Sequence, residues 1–338
     1  MSPVLVTGAA GFIGAAVSAR LLGQGVPVIG IDNFTAYYDV RIKEARAERL
    51  RAFPGFTLHR VDLAERGAVA SIIAAARPRR VVHLAAQAGV RYAATDPYAY
   101  TRANIDGFLN LLEALRAHPV EHLVYASTSS VYGSNSEMPF AESATTDHAL
   151  TLYAATKKAN EVMAHAYAHL FGIPCTGLRF FTVYGPWGRP DMALFKFARA
   201  MLQDQPIQLY NHGQHGRSFT YIDDIVEGVL RVLEQPAQPT PDAPDGDPGL
   251  SRVAPYAVYN IGSETEVPLR RYVELLEQAL GRRARVELLP LQPGDVERTA
   301  ADMTRLRARV GYSPQVPVEV GVRRFVDWFL AHPALTLG

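Results

Sequence analysis

The chain has 338 residues, with 34 basic side chains against 33 acidic ones for a formal charge of +1. That balance gives no reason to expect a nucleic-acid backbone or an anionic membrane surface as partner. Its 48% hydrophobic content supports a sizeable core and excludes a disordered or fibrous chain.

Cys175 is the single cysteine, which excludes an intrachain disulfide and a multi-cysteine metal site, and no metal is expected. The first apolar run, Val4-Leu5-Val6, leads straight into a glycine-rich turn, unlike a secretory leader. With no stretch of ~18 apolar residues, the expectation is a soluble, cytoplasmic protein.

In chain order, buried strands are expected at Val4–Thr7, Val28–Asp32, Phe56–Asp62, Val81–Ala85, His122–Ser127 and Pro174–Arg179. Helical spacing separates them over roughly 12–24, 40–52, 65–76, 98–117 and 151–171. This alternation predicts α/β architecture, a Rossmann doubly wound parallel sheet covered on both faces. Beyond residue 180 the rhythm loosens. A loop at 185–190 precedes a helix at 192–203, a strand at 207–210, a segment at 212–216 and a helix at 222–233. The Pro- and Asp-rich stretch 235–255 reads as a long surface loop, followed by a strand at 258–261 and helices near 269–280 and 321–330. The expected division is a dinucleotide-binding domain at 1–181, with returning segments near 214–235 and 256–262. A smaller, discontinuous α/β domain at 182–213 and 263–338 would bind substrate.

Between the first strand and helix lies Thr7-Gly8-Ala9-Ala10-Gly11-Phe12-Ile13-Gly14. Glycines at this spacing let the backbone turn sharply and approach a pyrophosphate at a helix N-terminus. Asp32, followed by Asn33, ends the second strand, where a carboxylate accepts from both ribose hydroxyls and repels a 2′-phosphate, selecting NAD over NADP. Helix capping is the plainer reading of that acid.

Tyr153-Ala154-Ala155-Thr156-Lys157 opens a long helix, so the phenol and the ammonium share one face. Such an ammonium is expected to bring the phenol from ~10 toward 7, about 4 kcal/mol of differential stabilisation, making it a base at neutral pH. The turn Ser127-Thr128-Ser129-Ser130 follows the fifth strand, at the strand end where ligands bind in such sheets.

Together these motifs resemble the extended short-chain dehydrogenase/reductases, specifically the NAD-dependent nucleotide-sugar 4-epimerases. The resemblance runs from Val4 to about Trp328 through TGAAGFIG, IDN at 31–33, HLAAQAGVR at 83–91, STSSVYG at 127–133, YAATK at 153–157 and GRSFTYIDD at 216–224. It implies a tightly held NAD, with Tyr153 as base, Lys157 and Thr128 assisting, and a transient 4-keto sugar. It also implies that Gly8, Gly11, Phe12, Ile13, Gly14, Asp32, Asn33, Asp62, Leu63, Leu84, Ala85, Ala86, Tyr153, Lys157 and Phe180 line the cofactor site. Asn104 would help fix the nucleotide-sugar site, and Arg91, Arg189 and Arg217 would serve the substrate. Arg298 and Asp295 are further candidates for its diphosphate or ribose, and a homodimer through the helices near 98–117 and 151–171 is implied.

The segment from Phe180 through Thr182 to Met192 is most similar to that of UDP-glucuronate 4-epimerases, and UDP-glucose 4-epimerases tend to carry asparagine at the position of Thr182. Thr128, Ser129, Ser130 and Thr182 could then satisfy a sugar carboxylate with charge-assisted bonds. Related dehydratases carry an Asp-Glu pair in the serine turn and related decarboxylases a glutamate; here both positions are serine. The expected reaction is therefore epimerisation of UDP-glucuronate to UDP-galacturonate. A 4-epimerase of a neutral or N-acetylated UDP-sugar, and a catalytically silent NAD sensor on the same fold, are the alternatives.

Overall fold

The computed structural model describes residues 2–292 and 296–337. Asp295 lies outside the described residues. In the first half, strand and helix alternate as β1 (Val4–Thr7), α1 (Phe12–Gly23), β2 (Val28–Asp32), α2 (Val40–Arg51), β3 (Phe56–Arg60), α3 (Ala68–Ala76) and β4 (Arg80–His83). Then come α4 (Tyr98–Tyr100), a π-helical stretch (Thr101–Asp106), α5 (Gly107–Ala117), β5 (His122–Thr128), α6 (Leu152–Phe171) and β6 (Cys175–Phe180).

These strands form a parallel sheet in the order β3-β2-β1-β4-β5-β6, extended by β10 (Tyr256–Ile261) beside β6. Helices cover both faces, so β1, β5 and β6 are almost wholly buried and their near-continuous apolar sequences follow. Cys175 is fully buried in β6. The strand order reverses between β1 and β4, and a crevice opens there beyond the strands' carboxyl ends.

The second half has shorter elements: β7 (Thr182–Tyr184), α7 (Ala193–Leu202), β8 (Ile207–Leu209), β9 (Gly216–Tyr221) and α8 (Ile222–Leu233). After β10 follow β11 (Glu266–Pro268), α9 (Leu269–Leu280), β12 (Val286–Leu288), α10 (Thr304–Val310), α11 (Val318–Ala331) and α12 (Pro333–Thr336). β9 lies between β7 and β11, while β8 pairs with β12. The segment at 212–216 is a single 3-10 turn at Asn211–Gly213 rather than an element of its own, and the strand begins at Gly216. The helix expected over 98–117 runs without interruption from Tyr98 to Ala117, with a π-helical stretch at Thr101–Asp106 inside it.

The loop 235–255 carries no helix or strand but is tied down. Asp247, almost completely buried, pairs with Arg305, and Ser251 meets His165 at 2.9 Å. Those long-range bonds order a stretch whose own apolar pattern could not.

Candidate active site

One large cleft of about 1360 Å³ crosses the carboxyl ends of the sheet, with β7, β8 and β9 contributing its opposite wall. It exceeds the ~300–1,000 Å³ common for one small ligand, leaving room for two.

The glycine turn forms its first wall. Gly8 has φ +70°, and a Cβ there would stand 2.8 Å from the Ala85 nitrogen. A Cβ on Gly14 would stand 2.0 Å from the Gly8 carbonyl oxygen. Only bare backbone fits this junction. No side chain caps the N-terminus of α1 at Gly11, so the helix presents unclaimed N–H groups to the cleft.

Asp32 stands at the end of β2 and is buried. Its carboxylate accepts from the Ala10 N–H at 3.0 Å and the Phe34 N–H at 2.8 Å, with the Lys43 ammonium 3.9 Å away. The acid therefore fixes the glycine turn as well as facing the cleft. Asp62 caps Ala64 at 3.0 Å and pairs with Arg102 at 3.0 Å. Asn33, Leu63, Leu84, Ala85, Ala86 and Phe180 complete this wall with Phe12 and Ile13.

Thr151 caps α6 by accepting from the Ala154 N–H at 3.2 Å. The cap fixes where the helix starts, which puts Tyr153 in its first turn and Lys157 one turn on, both facing the cleft. Lys157 is buried, donates to Asn160 Oδ1 at 2.8 Å, and burial lowers it to about 7 despite the opposing charge of Glu161. Burial also raises the Tyr153 phenol, while the Arg189 charge and the Thr128 hydroxyl pull it down. Against the sequence expectation of a phenol brought near 7 by lysine, burial is the largest influence on Tyr153 and raises it, and the desolvated Lys157 amine is itself only partly charged at neutral pH.

Thr128 ends β5 and caps the following 3-10 turn, accepting from the Ser130 N–H and donating to the Ser130 hydroxyl, each at 3.2 Å. Ser129, Ser130 and Thr182 are half-buried and face the same cleft. Ser127 instead donates to Glu161 at 2.6 Å, part of a buried pair in which Arg179 meets both oxygens of Glu161 at 2.9 Å.

Arg91, Arg189 and Arg217 all line the cleft. Arg189 pairs with Asp191, which also accepts from the Tyr37 hydroxyl at 3.1 Å. Arg91 lies over the Tyr210 ring at 4.9 Å, and Arg217 donates to the Glu297 carbonyl at 2.8 Å. Arg298 and Asn104 do not line the cleft. Arg298 forms a bidentate pair with Glu266. Asn104 is buried, taking the Gln87 N–H at 2.8 Å and donating to Thr156 at 3.0 Å, so it ties the β4 loop to α6.

Tyr37, Tyr38, Lys43 and Tyr210 also line the cleft but were not selected from the sequence. A Tyr-Tyr-Asp run soon after IDN was the available signal for the first two.

The profile of the family described as "NAD dependent epimerase/dehydratase family" matches residues 4–262. A probable UDP-glucuronate 4-epimerase of Rhizobium meliloti is 49% identical over 327 residues, covering 96% of each chain. UDP-glucuronate 4-epimerase 5 of Arabidopsis thaliana is 44% identical over 333 residues, 97% of this chain and 75% of that protein. The crystal structure of UDP-glucuronic acid 4-epimerase from Bacillus cereus, in complex with UDP-glucuronic acid and NAD, superposes with a TM-score of 0.86. It is 32% identical, over 96% of this chain and 98% of that one.

Proposed function

The chain belongs to the NAD dependent epimerase/dehydratase family, and from that premise we propose that it converts UDP-glucuronate to UDP-galacturonate by epimerisation at C4. It is an NAD-dependent UDP-sugar 4-epimerase. The observation that carries the finer reading is the hydroxyl-lined pocket of Thr128, Ser129, Ser130 and Thr182 beside Tyr153, with no carboxylate in the serine turn.

The side-chain-free glycine junction and the uncapped N-terminus of α1 fit a pyrophosphate. Gly8, Gly11, Phe12, Ile13 and Gly14 would hold it, with Asp32 and Asn33 at the adenosine ribose and Asp62 and Leu63 at the adenine. When bound, NAD⁺ supplies a hydride acceptor that returns the hydride to the other face of C4, and a positive ring.

Tyr153 takes the proton of the sugar's 4-hydroxyl as C4 is oxidised and returns it after the keto sugar has rotated. Thr128 and Arg189 favour the phenolate at that step. Lys157, poised near neutrality by burial, orients the nicotinamide ribose. Around C6, the hydroxyls of Ser129, Ser130 and Thr182 hold the carboxylate. Oxidation at C4 makes a β-keto acid, so the carboxylate's C–C bond must be kept out of alignment with the ketone π system. Arg91, Arg189 and Arg217 supply positive charge on the sugar and diphosphate side.

The second domain, 182–213 with 263–338, is the uridine diphosphate lobe in this reading. Exposed Leu109 on α5 and Val162, Leu170 and Phe171 on α6 support a homodimer through those helices. Among the described residues no helix is long and apolar enough to cross a membrane. We take the site of action to be the cytoplasm.

Tyr153→Phe is the direct test of the base. Turnover of UDP-glucuronate falls by roughly 10³-fold while NAD stays bound. Undiminished turnover removes Tyr153 from that role, and a wild-type chain that binds NAD but converts no UDP-sugar is the silent sensor instead.

A further inference from the structure

Arg46, on α2, is fully buried. Among the described residues it forms no ion pair with a carboxylate; its partners are neutral oxygens on three separate segments. Nη1 donates to the Ala10 carbonyl of the glycine turn at 3.2 Å and to the Tyr38 hydroxyl at 2.8 Å. Nε and Nη2 donate to the Trp187 carbonyl at 3.0 and 2.6 Å, and Nη2 reaches the Gly188 carbonyl at 3.0 Å.

A buried guanidinium without a counter-ion is unfavourable unless its donors are satisfied, and here the fork is filled by the Tyr38 hydroxyl and by backbone of the glycine turn and of the segment that leads into Arg189. The 187–188 segment is strained where it is held. Trp187 has φ +63°, a left-handed conformation that a bulky residue rarely adopts. Its carbonyl and the next are the two that Arg46 grips. One residue beyond Gly188 stands Arg189, and its partner Asp191 takes the Tyr37 hydroxyl at 3.1 Å, a second tie from the β2–α2 loop to the same segment.

We propose that Arg46 is a positioning residue that couples the two halves of the cleft. By binding the glycine turn and the 185–191 segment with one guanidinium, it makes occupancy of the dinucleotide site and the shape of the UDP-sugar site interdependent. Tyr37 acts in the same direction through Asp191 and Arg189. This rests on the reading of the cleft as a joint NAD and UDP-sugar site.

The readout is a coupling factor, the ratio of NAD affinities with and without saturating UDP, measured by ultrafiltration on the full chain. Uridine diphosphate is the probe because it lacks the sugar that would meet the nicotinamide directly. Wild type shows UDP tightening NAD by about tenfold, and Arg46→Lys, which keeps the charge but loses the fork, brings the factor to within about twofold of unity. A loss of general stability lowers NAD affinity in both conditions and leaves the ratio alone. The same factor in Arg46→Lys as in wild type overturns the proposal, as does a wild-type factor of one. Should Arg46→Lys fail to fold, Tyr37→Phe carries the test: a factor reduced to about threefold supports the coupling, and an unchanged one overturns it. If no UDP-sugar is turned over yet the Arg46-dependent factor persists, the reaction assignment fails while the coupling stands.

Discussion

On the dinucleotide side, the cleft is shaped by backbone, at Gly8, Gly11 and Gly14 and at the first turn of α1, held by the Asp32 carboxylate. On the proposed sugar side it is shaped by side chains, the hydroxyls of Thr128, Ser129, Ser130 and Thr182 and the guanidinium of Arg189, with Ser129, Ser130 and Arg189 on turns between regular elements. The two sides should therefore fail in different ways. A backbone cradle has no slack, so damage there removes binding and stability together. A side-chain pocket can be altered while the fold stands, so damage there changes which product leaves.

Gly14→Ala probes the rigid side and carries the largest expected effect. The new methyl would lie 2.0 Å from the Gly8 carbonyl oxygen, a backbone atom that cannot swing away. We expect loss of bound NAD and a destabilisation of at least ~3 kcal/mol, read by cofactor content and thermal melting. A variant with full NAD content and an unshifted melting temperature would show the cradle to be tolerant.

Lys157 sits between the walls, and its prediction has a defined sign. Its amine is lowered by burial to about 7, whereas an unfolded chain holds it near 10.4. Between those values the unfolded state binds more protons, so this group makes stability rise with pH. From pH 7 to 8.5 the NAD-stripped wild type should gain about 1–2 kcal/mol relative to Lys157→Met. Denaturant melts of both proteins at the two pH values decide it; parallel behaviour means the amine is not desolvated.

Thr182→Val carries the smallest energetic effect and the most specific chemical one. Loss of one hydroxyl among several weakens the hold on the sugar carboxylate by about 1 kcal/mol. The variant stays folded and releases some UDP-4-keto-pentose by decarboxylation, visible by proton NMR. Slower turnover without any pentose nucleotide would sink the carboxylate-holding role of Thr182.

The same contrast explains what was legible beforehand. β1, β2 and the glycine turn could be read because each depends on residues adjacent in sequence: an apolar run, a turn, an acid at a strand end. Tyr153 and Lys157 were legible for the same reason, one helical turn apart. Arg46 was not, because its backbone partners lie 36, 141 and 142 residues away and only the fold assembles them. Nor could the spacing within YAATK reveal that burial, more than pairing, governs both ionisable groups. Arg298 and Asn104 were expected near the substrate only from the resemblance, and Glu266 and Gln87 engage them from other segments. In the loop 235–255, composition marks a surface stretch correctly yet says nothing of Arg305 anchoring Asp247.

The proposed reaction places a sugar carboxylate in the hydroxyl pocket beside Tyr153. The direct test incubates the purified chain, with no added cofactor, separately with UDP-glucuronate, UDP-glucose and UDP-N-acetylglucosamine, and follows the anomeric and C4 protons by NMR. UDP-galacturonate is expected from the first tube and no epimer from the other two. Epimers from the neutral sugars alone would keep the Tyr153 chemistry and contradict the carboxylate pocket.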